Sequence, residues 1–273
     1  MRAPTAANDL LRFARRIFAF GVRRRFVPSD PAADFTPRLD GGGTERLRRR
    51  ALSTDELAQL FEKIRETPNF GESNLLAMKL LLALCVRKGE LLGATWAEFD
   101  LDGGTHAGAV WHLPGSPTKT GESLDIPLVP AVVEWLNALR TSAAGSEHVF
   151  QKRRRDPRER VAHVGRDTLN AALKRVEHGL PHFTLHDLRR TARTHLAALG
   201  VRREVAERCL GHKLRGIEGT YDRHDYFQER RAALEQWTEL LIQAERGVGK
   251  IVAIRRAPGA RISHQGRNTR FGR

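Results

Sequence analysis

The sequence predicts a mainly α-helical protein with one small three-stranded antiparallel β-sheet. Apolar residues recur at helical spacing over most of the 273 residues. The period changes only between Trp96 and Leu128. There, Glu98–Leu101, Ala109–Leu113 and Ser123–Leu128 alternate as short strands do, and glycine-containing turns separate them. These two observations give the fold class.

The N-terminal region is predicted to be a single helix followed by a linker. Residues 5–26 carry an apolar stripe with arginines on the other side, and prolines at positions 28, 31 and 37 end it. Three consecutive glycines within Asp40–Thr44 predict flexibility. One helix cannot bury its own stripe. It therefore either packs on the following domain or closes a domain otherwise absent from this chain.

The main domain is predicted to begin at an N-cap and to contain a series of helices. Ser53 precedes Thr54-Asp55-Glu56 and a run of apolar residues, which is typical of a helix start. Leu75–Val86 is almost wholly apolar and predicts a buried helix that runs into the charged cluster beginning at Arg87. The later helices are predicted at Ala131–Leu139, Asp167–Val176, 186–199, Glu204–Leu210 and Phe227–Leu241. The last was expected to bury Ala232, Ala233, Trp237 and Leu240.

The charge of the chain points to a polyanionic partner. The formal net charge is +15, with 47 basic and 32 acidic residues, and neutralising phosphates releases counterions from nucleic acid. A GC-rich genome, which also raises arginine content, is an equally good explanation. The run Lys152-Arg153-Arg154-Arg155 is read either as a solvated loop or as a DNA-backbone contact, and Arg190 is a further candidate DNA contact. Residues 246–273 are basic and free of acids, which predicts a disordered tail.

The two cysteines and the hydropathy pattern define the expected environment. Cys85 and Cys209 each lie in an apolar run, which favours buried, reduced thiols over a disulfide or a metal site. No apolar run reaches 18 residues, and arginines interrupt the N-terminal segment. We therefore expect a soluble, cytoplasmic protein that does not contact membranes.

Candidate catalytic residues follow one another in order along the main domain. The groups are two guanidiniums, two imidazoles, an amine and a phenol, with one carboxylate, and together they can hold and attack a phosphodiester. They are Arg87, Glu90, Lys119, His186, Arg189, His212 and Tyr221. Each alone is a weak signal. The ordered set, with His212 in Leu-Gly-His and Tyr221 nine residues later, is a specific one.

Together these residues resemble the tyrosine recombinase (phage-integrase) family, and within it the integrases of genomic islands and satellite phages. The resemblance covers roughly residues 52–243 and implies a catalytic domain of the DNA breaking-rejoining type. It implies that Arg87 and Arg189 bind the equatorial oxygens of the transition state, while His212 binds a phosphate oxygen. Glu90 would support the arginines rather than touch DNA.

The resemblance also implies the nucleophile and the proton carriers. Tyr221 would attack phosphorus to give a 3′-phosphotyrosyl enzyme, with His186 as its general base. Lys119, at a hairpin tip, would protonate the leaving 5′-oxygen. Because guanidinium and imidazole groups supply the charge, no metal ion or cofactor is implied. The implied partners are double-stranded DNA attachment sites, further copies of the chain in a tetramer, and accessory DNA-bending proteins.

The same residues have structural interpretations. Arg87 and Glu90 fit a surface ion pair, either histidine fits a helix end, and Lys119 fits an ordinary turn. Tyr226 is the only other tyrosine, and we expect it to pack against the C-terminal helix. His182 and His186 have a spacing that zinc favours on a helix, but a helix start between them argues against a zinc site.

The N-terminal part departs from the family's pattern. Only Asn8–Ala33 resembles the end of a core-binding domain. We therefore expect a remnant of that domain at 1–39, a linker at 40–51, the catalytic domain at 52–245 and the tail at 246–273. The C-terminal helix is a candidate for docking on a neighbouring copy, and packing within the chain explains its stripe equally well. Two other functions remain open: a type IB topoisomerase-like activity, and a DNA-binding module without catalysis.

Overall fold

The computed structural model describes residues 4–40, 42–44, 50–104, 108–115, 121, 123–143, 145–152, 163–212 and 224–247. Several predictions lie outside these ranges. They are those for Lys119, Arg153, Arg154, Arg155 and Tyr221, for part of the linker, and for the tail beyond residue 247.

The chain divides into two compact units, Met1–Arg49 and Arg50–Arg273. The first contains helix α1 (Pro4–Arg23). The buried amide of Asn8 accepts a hydrogen bond from the backbone N–H of Gly42 at 2.7 Å and donates to the Gly43 carbonyl at 3.0 Å. These two bonds tie the start of the helix to the glycine segment. The assignment of this unit to the end of a core-binding domain stays a prediction.

The second unit is built from helices around a small sheet. Its helices are α2 (Thr54–Glu66), α3 (Glu72–Leu84), α4 (Lys88–Gly93), α5 (Pro130–Ser142), α6 (Thr168–Lys174), α7 (Leu185–Ala198), α8 (Arg203–Cys209) and α9 (Phe227–Glu245). The strands are β1 (Phe99–Asp100), β2 (Val110–Leu113) and β3 (Leu124–Pro127). The predicted mainly α fold with a three-stranded sheet is confirmed.

Helices α3 and α9 form the centre of the core. Eight of the 13 residues of α3 are buried, because this segment is apolar on nearly every side. Helix α9 packs against α2, α3, α7, α8 and β3. Its Trp237 is fully buried and donates to the carbonyl of Leu82 at 2.8 Å. The predicted stripe of α9 is correct except at Ala232, which is exposed because it lies one position off the buried face.

The sheet has the order β1-β2-β3 and is antiparallel throughout. Trp111 pairs with Ile126 on one side and with Phe99 on the other. Val110, Trp111 and Leu113 are buried, so the apolar residues of β2 fix its register. Each strand is shorter than predicted, although the N–H of Leu128 just beyond β3 still donates to the carbonyl of Ala109 just before β2 at 3.0 Å. The predicted position of Lys119 falls in the connection between β2 and β3, outside the described residues.

Two helix ends in this unit have identifiable causes. Ser53 caps α2 through a capping box with Glu56, as predicted. Helix α3 ends two residues earlier than expected, because Cys85 adopts a left-handed conformation with φ of +56°. A non-glycine residue in this region is uncommon. The change of direction at Cys85 lets Arg87 begin the next helix. In the described part of the chain, none of the helices has the length and apolar character needed to span a membrane.

Candidate active site

Arg87 and Glu90 form a pair that is closed to solvent on the carboxylate side. Arg87 is the N-cap of α4, and its backbone N–H donates to Glu90 Oε2 at 2.8 Å. The Arg87 guanidinium donates to Glu90 Oε1 at 2.6 Å. The side chain of Glu90 is only 4% exposed, against 29% for Arg87. The pair is therefore not a surface ion pair, and Glu90 fixes both the backbone and the side chain of Arg87.

Arg189 is a buried guanidinium whose position is set by backbone carbonyls. Its Nη1 donates to the carbonyl of Cys85 and its Nη2 to that of Leu210. Nη2 also lies 3.3 Å from Nε2 of His212. Burial lowers the pKa of Arg189, and the nearby positive charge of Arg87 adds to this effect. Arg189 is 5% exposed and lines the same pocket as Arg87, which is the physical cause of this lowered pKa.

The Leu-Gly-His segment is a helix terminator that places His212. After α8, Gly211 is left-handed, with φ of +62°. Its N–H bonds the carbonyl of Arg208 and the N–H of His212 bonds that of Glu207, both at 3.0 Å. This is the Schellman pattern, which requires a left-handed residue and so favours glycine. His212 projects back toward α7 as a consequence.

The ring of His212 is hydrogen-bonded at Nδ1 as well as at Nε2. Nδ1 lies 2.7 Å from Oε2 of Glu207, whose other oxygen accepts from Nε of Arg193 at 2.8 Å. Burial of Glu207 raises the pKa of its carboxyl group, but hydrogen bonds from Arg193 and His212 outweigh burial, and the net pKa is lowered. Glu207 is therefore ionised at neutral pH. Sequence reasoning missed Glu207 and Arg193.

One pocket of about 130 Å³ brings these groups together. Arg87, Glu90, Arg189 and His212 all line it. Because the two guanidiniums carry donors only, the pocket suits a small anion with several acceptor oxygens, such as a phosphate group. Four of the predicted site residues, drawn from three separate segments of the chain, thus converge on a single cavity.

His186 lies in the first turn of α7 and is not among the residues that line this pocket. Its side chain is exposed, yet partial burial lowers its pKa, followed in size by the positive charges of Arg189 and Arg190. A neutral imidazole is able to accept a proton. Thr184, rather than His186, is the N-cap residue of α7, and the Asp187 carboxylate accepts from its N–H and hydroxyl.

The remaining predicted residues are found elsewhere or lie outside the described ranges. Lys119 and Tyr221, together with Arg153, Arg154 and Arg155, are outside them. Lys152 lines a different groove, of about 800 Å³, between α3, α5 and α6. Arg190 lies 3.2 Å from an oxygen of Asp187. Their predicted DNA contacts stay predictions.

Tyr226 occupies a structural position at the start of α9. It is the N-cap residue, with φ of +55°, and its half-buried ring packs against the core. The ring makes an edge contact with His224, with centroids 4.6 Å apart, and the Arg202 guanidinium lies over it at 5.5 Å. The ring thus packs against the core, and its predicted contact with the C-terminal helix stays a prediction.

Arg230 anchors the segment before α9 to the sheet, a feature that the sequence did not reveal. The guanidinium is 1% exposed. It binds both carboxylate oxygens of Asp225, at 2.7 and 2.6 Å, and donates to the carbonyl of Asp125 in β3 at 2.8 Å. Asp225 also lines the 130 Å³ pocket. The buried guanidinium of Arg230 therefore holds the exposed carboxylate of Asp225 at the pocket.

Within the described residues, this region offers neither a metal site nor a reactive thiol. Within the described ranges, no group of three or more histidine, cysteine, aspartate or glutamate side chains is arranged to hold a metal ion. Cys85 and Cys209 line the pocket, and both are buried free thiols, as predicted. Burial raises the pKa of both, so neither is a reactive thiolate at neutral pH.

Comparison with known proteins matches most of this chain to one family. Residues 50–228 match the model of the phage integrase family. The chain is 27% identical over 198 residues to prophage integrase IntA of Escherichia coli K12, covering 72% of this chain and 45% of the relative. It is 24% identical to the integrase of Enterobacteria phage P4, covering 86% and 54%. The chain spans about half the length of the curated relatives it matches.

Solved structures show the same fold. A lambda integrase(75-356) dimer bound to a COC′ core site aligns with a TM-score of 0.56 and 21% identity, over 77% of this chain and 73% of that one. A lambda integrase tetramer bound to a Holliday junction aligns with a TM-score of 0.57 and 20% identity, over 81% and 60%.

Proposed function

The chain belongs to the phage integrase family, and we propose that it is a site-specific recombinase that cleaves and rejoins DNA. It would act through a 3′-phosphotyrosyl intermediate, to integrate or excise a mobile element. The observation that carries this proposal is the convergence of Arg87, Arg189 and His212 on one small pocket. Three cationic or hydrogen-bonding groups at one point match the charge of a scissile phosphate.

In the proposed reaction, the pocket holds the phosphate while a phenol attacks it. The two guanidiniums bind the non-bridging oxygens, where negative charge grows in the transition state. Oxygen of Tyr221 bonds to phosphorus, and the bond from phosphorus to the 5′-oxygen breaks. His186, with its lowered pKa, accepts the phenolic proton. Lys119 donates a proton to the departing 5′-oxygen.

Rejoining follows from the same chemistry in reverse. The phosphotyrosyl bond keeps the energy of the phosphodiester, so a 5′-hydroxyl of another strand can attack it without a nucleotide cofactor. Lys119 takes the proton of the attacking hydroxyl, and His186 returns its proton to the departing phenolate. The roles of Tyr221, Lys119 and His186 rest on the order of the motifs.

The proposed partner is double-stranded DNA at attachment sites. The net charge of +15 favours a polyanion, and structural neighbours include an integrase dimer on a core site and a tetramer on a Holliday junction. We propose a homotetramer on DNA, with accessory DNA-bending proteins. In the structure, the buried face of helix α9 packs on its own chain.

A suicide substrate tests the proposal directly. A randomised pool of duplexes, each with a nick next to the candidate cleavage position, is incubated with the protein in EDTA. Covalent adducts are then separated on a denaturing gel and sequenced. We expect a 3′-linked adduct that disappears in Tyr221→Phe and persists in the matched variant Tyr226→Phe. If the adduct disappears only in Tyr226→Phe, the nucleophile is Tyr226 and the assignment of Tyr221 is wrong.

An arginine variant separates catalysis from binding. Removal of one preorganised donor typically slows a reaction about 100- to 1000-fold. Arg87→Ala should therefore form the adduct more slowly by about that factor while still retaining DNA. If the wild-type chain retains DNA and forms no adduct, it is a DNA-binding module without catalysis, and the proposal is refuted.

A further inference from the structure

The hydrogen bonds of His212 define which ring nitrogen carries the proton. Nε2 faces the Arg189 guanidinium at 3.3 Å and Nδ1 faces the Glu207 carboxylate at 2.7 Å. A guanidinium can only donate, so Nε2 offers its lone pair. Nδ1 then carries the proton and donates it to Glu207. Without DNA the ring is therefore held as the Nδ1–H form.

When a phosphate binds, Nε2 must donate a hydrogen bond instead of accepting one. Phosphate oxygens accept hydrogen bonds, so Nε2 must gain a proton from solvent before it can donate to one. The ring cannot simply move its proton from Nδ1 to Nε2. In that tautomer the lone pair of Nδ1 would face the ionised Glu207 carboxylate, which has no hydrogen to donate. The ring that donates to phosphate is thus an imidazolium, with both nitrogens protonated.

The surroundings of the ring make Glu207 important for this protonated form. The titratable or charged side chains lining the pocket with His212 are Cys85, Arg87, Glu90, Arg189, Arg208, Cys209 and Asp225. Glu90 is bound to Arg87, and Asp225 to Arg230. Glu207 is the carboxylate that touches the ring itself, on the side away from Arg189. Arg193, four residues after Arg189 on α7, holds its other oxygen.

We propose that Glu207 is a positioning residue of the recombination reaction: it orients the His212 ring and stabilises the imidazolium that donates to the scissile phosphate. This inference rests on the proposed function. Glu207 is the third residue from the end of α8, and His212 is the second residue beyond its cap. Contacts between these two positions commonly accompany a Schellman turn, and are usually apolar. Here the turn joins a carboxylate to an imidazole.

The test compares Glu207→Gln with Glu204→Gln. Glutamine keeps the shape of the side chain and an acceptor for Nδ1, but it removes the charge. Glu204 lies on the same helix and pairs with Arg202 at 3.1 Å, so its variant is a matched loss of charge outside the site. Thermal unfolding shows whether each variant is folded.

The first measurement does not depend on activity. Nitrogen-15 NMR of the imidazole in the DNA-free protein should show protonated Nδ1 and bare Nε2 in the wild type and in Glu204→Gln. Glu207→Gln should lose this preference, because an amide can also donate to a bare Nδ1. A wild-type ring protonated only at Nε2 would overturn the inference.

The second measurement is the pH dependence of adduct formation. At pH 8, Glu207→Gln should be about 10- to 100-fold slower than wild type, which is the effect of one charge-assisted hydrogen bond. The difference should shrink toward pH 6, where protons are abundant, and Glu207→Asp should recover part of the rate. A purely structural role predicts a deficit that is equal at every pH.

The two measurements keep the inference separate from the proposed function. A Glu207→Gln profile that coincides with that of Glu204→Gln overturns the positioning role, while the recombinase proposal stands. No adduct in any protein, wild type included, refutes the recombinase proposal and with it the positioning role of Glu207 in that reaction. The NMR result then still decides whether Glu207 sets the proton on His212.

Discussion

Glu90 offers a test of the site that needs no DNA. Its carboxylate accepts two hydrogen bonds, from the backbone N–H and the guanidinium of Arg87, and it is 4% exposed. In Glu90→Gln, one of the two acceptors becomes an NH₂ group that faces another donor. A hydrogen bond to a charged group contributes about 1.5–3 kcal/mol. We therefore expect unfolding to become easier by about 2–3 kcal/mol.

Thermal unfolding followed by tryptophan fluorescence measures this loss. All four tryptophans lie in the second unit, so the signal reports on that unit alone. For a unit of roughly 200 residues, each kcal/mol shifts Tm by about 2–4 °C. Glu90→Gln should thus lower Tm by about 4–12 °C. The surface variant Glu204→Gln should stay near wild type, because exposed ion pairs contribute about 0–1 kcal/mol. Equal Tm values for the two variants would show that Glu90 does not hold Arg87.

Two further predictions concern the same pocket. Gly211→Ala forces an alanine into the left-handed conformation, which should lower the free energy of unfolding by about 1–2 kcal/mol and displace His212. The control Gly93→Ala has open space at its helical Cβ position and should be neutral or stabilising. Equal unfolding curves for the two variants would contradict the Schellman assignment. Burial raises the pKa of Cys209 to about 12, so an aromatic disulfide reagent at pH 8 should modify neither Cys209 nor Cys85 until the protein is unfolded. In the unfolded chain the thiols ionise above about pH 8.5, whereas in the folded chain they stay protonated. Their contribution to the free energy of unfolding is therefore full below that pH and is lost as the pH rises toward 12. Rapid labelling of the folded protein by the reagent would contradict the burial of the two thiols.

Periodic patterns predicted the fold because they report burial. Leu188, Ala192 and Leu196 recur at helical spacing, and all three are fully buried on one face of α7. The sheet was predicted for the same reason, from alternation around Trp111. The start of α2 was readable because a capping box depends on residues three positions apart. Each of these signals is local in sequence.

The contacts that fix the site are mostly not local. Arg189 bonds to carbonyls 104 and 21 residues away, and any residue type can supply a carbonyl. The left-handed turn at Cys85 was missed because cysteine carries no mark of that conformation. Glu207 is different. Its spacing from Gly211 and His212 is that of a Schellman turn, so its contact with the ring was readable once a helix was assigned there.

The ion pair between Arg230 and Asp225 sets a limit on the reach of the proposed nucleophile. Asp225 is fastened to the sheet at the rim of the pocket, and Tyr221 is four residues before it. Four extended residues cover at most about 14 Å. As the proposed nucleophile, Tyr221 is therefore limited by chain length to a span of about 14 Å from Asp225.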